Sequence, residues 1–476
     1  MRVFIVAYCF GGLLRQTLIG VYKRALRVGH ALCDRGHHVS FFCAGRGNFH
    51  DAMTERAQQR MTFVDWPWEQ PLHEGAEHNR RCTLAALRDA APDVVVIGEA
   101  PLAGALLEVT LAAAELGVPV VCLDNAYNSY CVEEFCRRHG PMYDGVVLTG
   151  PSSFHTPRPP SFLLQVPPYI ESSPEEARAV LEELGLGGRR IATVLAYDAS
   201  VETLGASIVG RLDRDDVGAV FISHRPDVCR QRLEALPDAV RERVRVIEPL
   251  DDRRHFGLLQ ESRLVVGKCA FMQVSECLSL QTPIIGFYFQ GDFHLDLIPD
   301  ECRPFSHMTA DLACDEETLE RARRFLDLTP FDMRAVHDGG LGAAERTATF
   351  LEQLPKTARA GTTAECAGHG LTRDVLRDAL GQSCQGSDVR IVDVRMSVVR
   401  ESKQQLMFAV LCRYSVDGRA EARRLWFRRF THADDLQAEL DRALDPETRR
   451  TVLYQSIPHR ALLEQDIGEA ALPPIH

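Results

Sequence analysis

The sequence lacks the usual marks of metal, membrane and nucleic-acid chemistry. It carries 15 cysteines, but none are paired as Cys-x-x-Cys and no His/Cys cluster has zinc spacing. Structural zinc modules are therefore excluded, and reduced thiols in a cytoplasmic protein fit the pattern. Cys131 and Cys136 read as small buried hydrophobes. Long apolar runs are missing too. Residues 102–123 are interrupted by Glu108, Glu115 and Pro119, too polar to span a bilayer. The apolar run 3–10 is short and follows a single Arg, so it reads as a first β-strand, not a secretory signal. Positive charge is in deficit: the formal net charge is -12, which disfavours nucleic acid as a partner. No G-x-G-x-x-G follows the first strand; Gly11-Gly12 alone is a weak dinucleotide signal.

What is present is a 476-residue chain, 45% hydrophobic and 25% charged, enough for two or three globular domains. Its first half alternates apolar β-type runs with helical stripes. Strands are predicted at 2–7, 38–43, 92–99 and 118–123. The helix between the first two has Leu18, Val21, Tyr22, Ala25, Val28 and Leu32 on its apolar face and ends at Gly36. His30 lies inside it and reads as packed or solvated. Ligands in open parallel sheets gather beyond the carboxyl ends of strands. That rule singles out Glu99 and Asp124 as candidate bases; the competing reading is helix N-capping. The proline-rich stretch 157–168 reads as the inter-domain crossing. Ser173-Pro174 then opens a helix, with Ser at the N-cap and Pro at N1.

The second half repeats the pattern, with strands predicted at 191–196, 219–222 and 244–247. Tyr197-Asp198 follows the first of these. His224-Arg225 follows the second, a basic pair suited to a phosphate or simply an exposed loop pair. The stretch 264–287 reads as strand, tight loop, short helix, turn and strand. Leu264-Val265-Val266 is a buried-strand run, broken by Gly267-Lys268. Residues 273–280 have helical spacing, with Val274, Cys277 and Leu278 on one face, and Gln281-Thr282-Pro283 ends the helix. A loop that leaves a parallel strand for a helix N-terminus is an anion site. Glu276, one turn in, can accept hydrogen bonds from a sugar diol, or it is a solvated helix carboxylate.

This stretch resembles the donor-binding segment of GT-B glycosyltransferases. These include the lipid-linked N-acetylglucosaminyltransferase of peptidoglycan synthesis, the diacylglycerol glycosyltransferases and the glycosyltransferase-like domain of plant arabinokinases. Their segment reads roughly V-V-G-K-x-G-Y-G-T-V-S-E-A-L, and Gly267, Lys268, Val274, Ser275, Glu276 and Leu278 match it. Residues 269–273 stand where the family has two glycines and usually Thr, and Tyr197-Asp198 stand where it has a Gly-Gly-Ser-like turn. The family often has a catalytic His before its first helix, and no His occurs between Met1 and Arg27. The opening at 31–39 and the Gly-Ala-Ala helix start at 342–344 also resemble the family, so the likeness covers residues 1–354.

The resemblance implies an α/β chain of two Rossmann-like domains facing a cleft, residues 1–160 for the acceptor and 161–354 for the nucleotide sugar. A linker, 355–370, leads to a small α+β appendage, 371–476, that faintly resembles a kinase N-lobe but has no catalytic loop. By the same resemblance Glu276 holds the ribose. Lys268, the helix start at Gln273, Val274 and Ser275, and Arg225 with His224 lie near the phosphates. Gln290 and His294 lie near the donor sugar, and Asp198 faces an amine or sugar hydroxyl. The acceptor, a small molecule or lipid-linked, enters near Gly11, Gly12, Glu99 and Asp124. No metal or other cofactor is expected, because the helix dipole and Lys268 can offset leaving-group charge. The expected function is sugar transfer from a nucleotide-activated donor. The alternatives are a non-catalytic binding or regulatory protein on the same scaffold, and a sugar-nucleotide epimerase. The appendage is expected to dock on the transferase domains or to mediate a dimer. Its Arg423, Arg424, Arg428 and Arg429, interleaved with apolar residues, read as a solvated strand face.

Overall fold

Runs of Val, Ile and Phe with no polar alternation can be satisfied only where both faces of a strand are covered, and they build two parallel sheets here. The computed structural model describes residues 1–8, 19–44, 59–64, 76–98, 105–125, 143–150, 161–170, 172–212, 214–269, 271–288, 300–328, 342–354, 371–383, 388–401, 405–430, 450–456 and 461–466. The chain divides into two compact units. One comprises residues 1–148, 158–164 and 347–476, and the other residues 149–157 and 165–346.

The first unit is built on β1 (Arg2–Tyr8), β2 (His38–Ala44), β3 (Thr62–Val64), β4 (Val94–Ile97), β5 (Val120–Asn125), β6 (Gly145–Thr149) and β7 (Leu163–Val166), in the order β3-β2-β1-β4-β5-β6-β7. β1 pairs in parallel with β2 on one side and β4 on the other, so the chain reverses its direction of travel across the sheet there. The Ile19–Asp34 helix buries Tyr22, Ala25, Val28 and Leu32 as its periodicity predicts. Gly36 ends it at φ +80, with the His37 amide donating to the Leu32 carbonyl at 3.0 Å. The same helix also buries Arg24, Arg27 and His30, which its apolar stripe did not reveal. β7 spans a division between the two units, which falls between residues 164 and 165. Two of the divisions between the units, at 157/158 and 164/165, fall within the proline-rich stretch 157–168.

The appendage consists of the Arg373–Ser383 helix and β14 (Val389–Glu401), β15 (Gln405–Val416), β16 (Arg419–Phe430), β17 (Arg450–Ser456) and β18 (Ala461–Asp466); β8 to β13 belong to the second unit. These five strands form an antiparallel sheet, β14-β15-β16-β18-β17. One face of the sheet carries Val394, Val410, Cys412, Tyr414, Leu425 and Phe427, packed on Leu376, Ala379 and Leu380 of the helix. The alternate residues face the other way, as the pleat requires. There β15 and β16 lie against the Ala105–Leu116 helix, Arg80 donates to the Ala422 carbonyl at 2.6 Å, and Arg395 pairs with Asp144. Arg423 lies over the Tyr414 ring at 5.8 Å. The linker 355–370 lies outside the described residues.

The second unit holds one fully parallel sheet of β8 (Arg190–Leu195), β9 (Val217–Ile222), β10 (Val244–Ile247), β11 (Ser262–Lys268), β12 (Ile284–Phe287) and β13 (Ser306–Thr309). Its order is β10-β9-β8-β11-β12-β13. The chain winds outward from β8 in one direction and from β11 in the other. Adjacent crossovers that diverge in this way open a crevice beyond the carboxyl ends of the two central strands. Hydrophobic clusters fill both faces, one around Val194, Leu204, Phe221 and Phe325 and the other around Ile191, Phe256, Val265 and Leu278. Ser173 caps the Pro174–Glu183 helix as expected, its hydroxyl accepting from the Glu176 amide at 3.4 Å.

Candidate functional site

The crevice position in the second unit lies where β8 and β11 end. β11 delivers Gly267 and Lys268, and after Cys269 the chain enters the Phe271–Ser279 helix. A Cβ at Gly267 would sit 3.0 Å from Oε1 of Gln273, which would have to give slightly, and 3.6 Å from Leu195. Its absence lets the Gln273 amide fold back over the strand end. On the next turn the helix divides its residues by environment. Val274, Cys277 and Leu278 are in the core, Ser275 is 1% exposed, and Glu276 and Lys268 are half-buried. Val274, read from the sequence as a ligand contact, is therefore a packing residue whose side chain faces inward.

Two polar atoms in this segment stand out. Oε1 of Gln273 and the hydroxyl of Ser275 are buried without a hydrogen-bond partner among the described residues, as is the hydroxyl of Ser279 one turn on. An orphaned buried polar atom costs roughly 1–3 kcal/mol, so native chains seldom keep one without a reason. Gln273 and Ser275 sit within the first turns of a helix, whose unsatisfied amides and dipole already favour an anionic or hydroxyl-bearing ligand.

β8 brings Tyr197 and Asp198 to the same end of the sheet, and β9 brings His224 and Arg225. The Tyr197 ring stacks on His224, with centroids 4.9 Å apart and planes inclined by 33°. The Tyr197 phenol is pushed above the usual tyrosine range by desolvation, then by the charges of Glu276 and Asp252. Asp198 follows Tyr197 and is half-buried. It is the N-cap of the Ala199–Arg211 helix, and its Oδ1 accepts from the Ser200 amide at 2.7 Å. A short side chain directly before a helix fills that role more readily than it reaches a ligand. Arg225 occupies the N-cap position of the Pro226–Leu233 helix with no side-chain cap bond, and both His224 and Arg225 are exposed.

In the first unit, Asp124 at the end of β5 is fully buried, its carboxylate 3.8 Å from the equally buried Arg24. Arg24 also donates to the Gly98 carbonyl at 2.8 Å, at the end of β4. The sequence offered a base or an N-cap for Asp124; its place is in a buried ion pair. Gly11, Gly12, Glu99, Gln290 and His294 lie outside the described residues. Sequence reasoning missed Tyr197 and Arg24. The carboxyl-end rule that picked out Asp124 applies equally to Tyr197, which directly follows β8; nothing in the helical pattern marked Arg24.

Among the described residues no helix is long and apolar enough to cross a membrane. No family model matches the sequence, and no curated protein matches it either. Solved structures do match. The UDP-GlcNAc 2-epimerase from Neisseria meningitidis bound to UDP-GlcNAc superposes with a TM-score of 0.52 at 14% identity, over 74% of this chain and 100% of that one. MurG from Acinetobacter baumannii gives 0.50 at 12%, over 74% and 99%. The MnaA–UDP co-structure from S. aureus gives 0.50 at 11%, over 76% and 99%. Two parallel-sheet α/β units, each with a central reversal in strand order, together with these likenesses, give the chain the GT-B fold of glycosyltransferases and UDP-GlcNAc 2-epimerases.

Proposed function

We propose that the second unit holds a nucleotide-activated sugar and that the chain transfers the sugar to an acceptor hydroxyl. The observation that carries this reading is the β8/β11 crevice position, where Glu276 stands on a helix whose Gln273 and Ser275 carry buried polar atoms without partners. A bound ligand would supply the missing hydrogen bonds. In this reading the Glu276 carboxylate accepts from the ribose diol. The diphosphate lies against the first turn of the helix, with Lys268 and Arg225 contributing charge. The same dipole and cations offset the charge that develops on the leaving group as the acceptor oxygen attacks the anomeric carbon.

Epimerisation of the bound sugar is the second reading, supported by the likeness to an epimerase that holds UDP-GlcNAc. The place of Asp198 as a helix cap supports a third, binding without turnover.

The test uses the full chain. UDP-, GDP- and dTDP-sugars are titrated by calorimetry, with Glu276→Ala as control. Binding that is lost in the variant supports the site, and silence across the panel overturns it. Product analysis then separates the readings. Free nucleotide with a glycosylated acceptor marks transfer, an inverted sugar carbon marks epimerisation, and binding with neither product marks a scaffold.

A further inference from the structure

We propose that Cys82, paired with His78, is a reactive thiol that a hydroperoxide oxidises to the sulfenic acid. This is independent of the nucleotide-sugar reading and concerns a helix of the first unit.

Both residues stand on the Ala76–Ala90 helix, four positions apart. That spacing puts them on one face, and helical side chains lean toward the N-terminus, so Cys82 reaches back toward His78. Sγ of Cys82 lies 3.4 Å from Nε2 of His78. Both side chains are half-buried, so a small reagent can reach them.

The other described cysteines lack this combination. Cys122, Cys229, Cys269, Cys277, Cys314 and Cys412 are buried. Burial pushes the thiols of Cys229 and Cys314 up, to about 12 and about 11, and that of Cys277 up as well. Cys33 is half-buried like Cys82, but its thiol donates to the Arg60 carbonyl at 3.4 Å, and burial pushes it up. The two partners differ in kind. A carbonyl oxygen accepts a hydrogen bond and leaves the proton on sulfur, whereas an imidazole nitrogen can take the proton. The thiolate is the nucleophile, so only the second arrangement activates the sulfur.

The step balances with the peroxide alone. With the imidazole protonated at Nδ1, Nε2 takes the proton of the Cys82 thiol. The sulfur attacks one peroxide oxygen, an S–O bond forms and the O–O bond breaks. The hydroxide that leaves recovers the proton from His78 and departs as water. Sulfur is oxidised by two electrons and the peroxide is reduced by two.

The experiment treats the reduced full chain with hydrogen peroxide in the presence of dimedone, which traps sulfenic acids, and follows each cysteine by peptide mass spectrometry. Iodoacetamide alkylation, read in the same way, reports nucleophilicity without oxidation. Cys82 is expected to label about tenfold or more faster than Cys33 with both reagents. His78→Gln is expected to slow Cys82 about tenfold and leave Cys33 unchanged. His78→Ala, which favours the helix, is a second variant with the same expectation. A variant that unfolds is recognised because both cysteines then label at the rates found in urea, and the comparison within the unmodified chain decides alone. Cys82 labelling no faster than Cys33 in that chain overturns the proposal. So does a folded His78 variant in which Cys82 keeps its rate. Alkylation of Cys82 without a dimedone adduct also overturns it, because the thiol would be nucleophilic without reacting with peroxide.

Discussion

Arg395 donates two hydrogen bonds to the carboxylate of Asp144, at 2.9 and 3.2 Å, and both side chains are buried. Asp144 accepts from the Val120 amide as well, at 2.8 Å, so the guanidinium of β14 reaches a carboxylate that already fixes the start of β5. This links the appendage sheet to the first parallel sheet through a buried charged contact. A pair of this kind adds little over a well-packed apolar pair, but it is costly to break from one side.

Arg395→Met is therefore expected to destabilise the chain by about 3–5 kcal/mol, because Asp144 would be left charged and buried. Adding Asp144→Asn to that variant should recover part of the loss, since asparagine removes the charge and keeps an acceptor for Val120. Urea denaturation of the two variants checks this. A single variant as stable as the parent would mean that the pair carries no weight.

Gly257 lies where the Asp252–Glu261 helix meets the chain entering the Pro174–Glu183 helix. A Cβ there would overlap the backbone of Ser173, 2.7 Å from its carbonyl carbon and closer still to the oxygen. Replacing glycine in a helix ordinarily gains about 1 kcal/mol. Here the obstacle is backbone that caps another helix, so the clash prevails, and Gly257→Ala should destabilise by about 1–3 kcal/mol. A shift of the denaturation midpoint in the opposite direction would refute the close approach.

The sheets were legible because buried parallel strands are written as unbroken apolar runs, and 94–97, 191–195 and 264–266 could hardly be anything else. β3 and β7 were not legible. They are only three and four residues long, and β7 lies among prolines. The site was legible in part. Strand-end position and helix start picked out Gln273, Ser275 and Glu276. The helix-cap alternative was weighed for Glu99 and Asp124, whereas Asp198 is the aspartate that caps a helix and Asp124 lies beside Arg24, because periodicity does not tell which carboxylate will be sealed against a distant cation. Arg395 and Asp144 are 251 residues apart, and no local pattern records such a pairing.

Asp198 offers a clean separation of roles. Asp198→Ala should lose the cap of the Ala199–Arg211 helix and cost about 0.5–2 kcal/mol, whereas Asp198→Asn, also a good cap, should cost little. Neither should change the affinity for a nucleotide sugar once folding is accounted for. A large affinity loss in the asparagine variant, at unchanged melting temperature, would restore Asp198 as a ligand contact.

Glu352 gives the pH dependence a definite sign. Arg35 donates to both of its oxygens, at 2.8 and 2.5 Å, and the His37 ring lies 2.7 Å away. These bonds hold the carboxyl at about 2, well below its ordinary 4.5, with Arg35 the larger cause. A carboxylate with a depressed folded-state pKa contributes stability that is fully present above the unfolded value and is lost as pH falls through the folded one. The tie between the Ala343–Gln353 helix and the turn after the Ile19–Asp34 helix should therefore be intact above about 4.5 and weaken progressively toward about 2. Glu352→Gln removes the titrating group. Its deficit against the parent should be constant from neutral pH down to about 4.5 and then shrink as the parent protonates. Because the pair is solvent-exposed, added salt should also reduce the deficit at neutral pH. Thermal melts of both chains across that range decide the matter, and a deficit that grows with acid would mean that another group governs the tie.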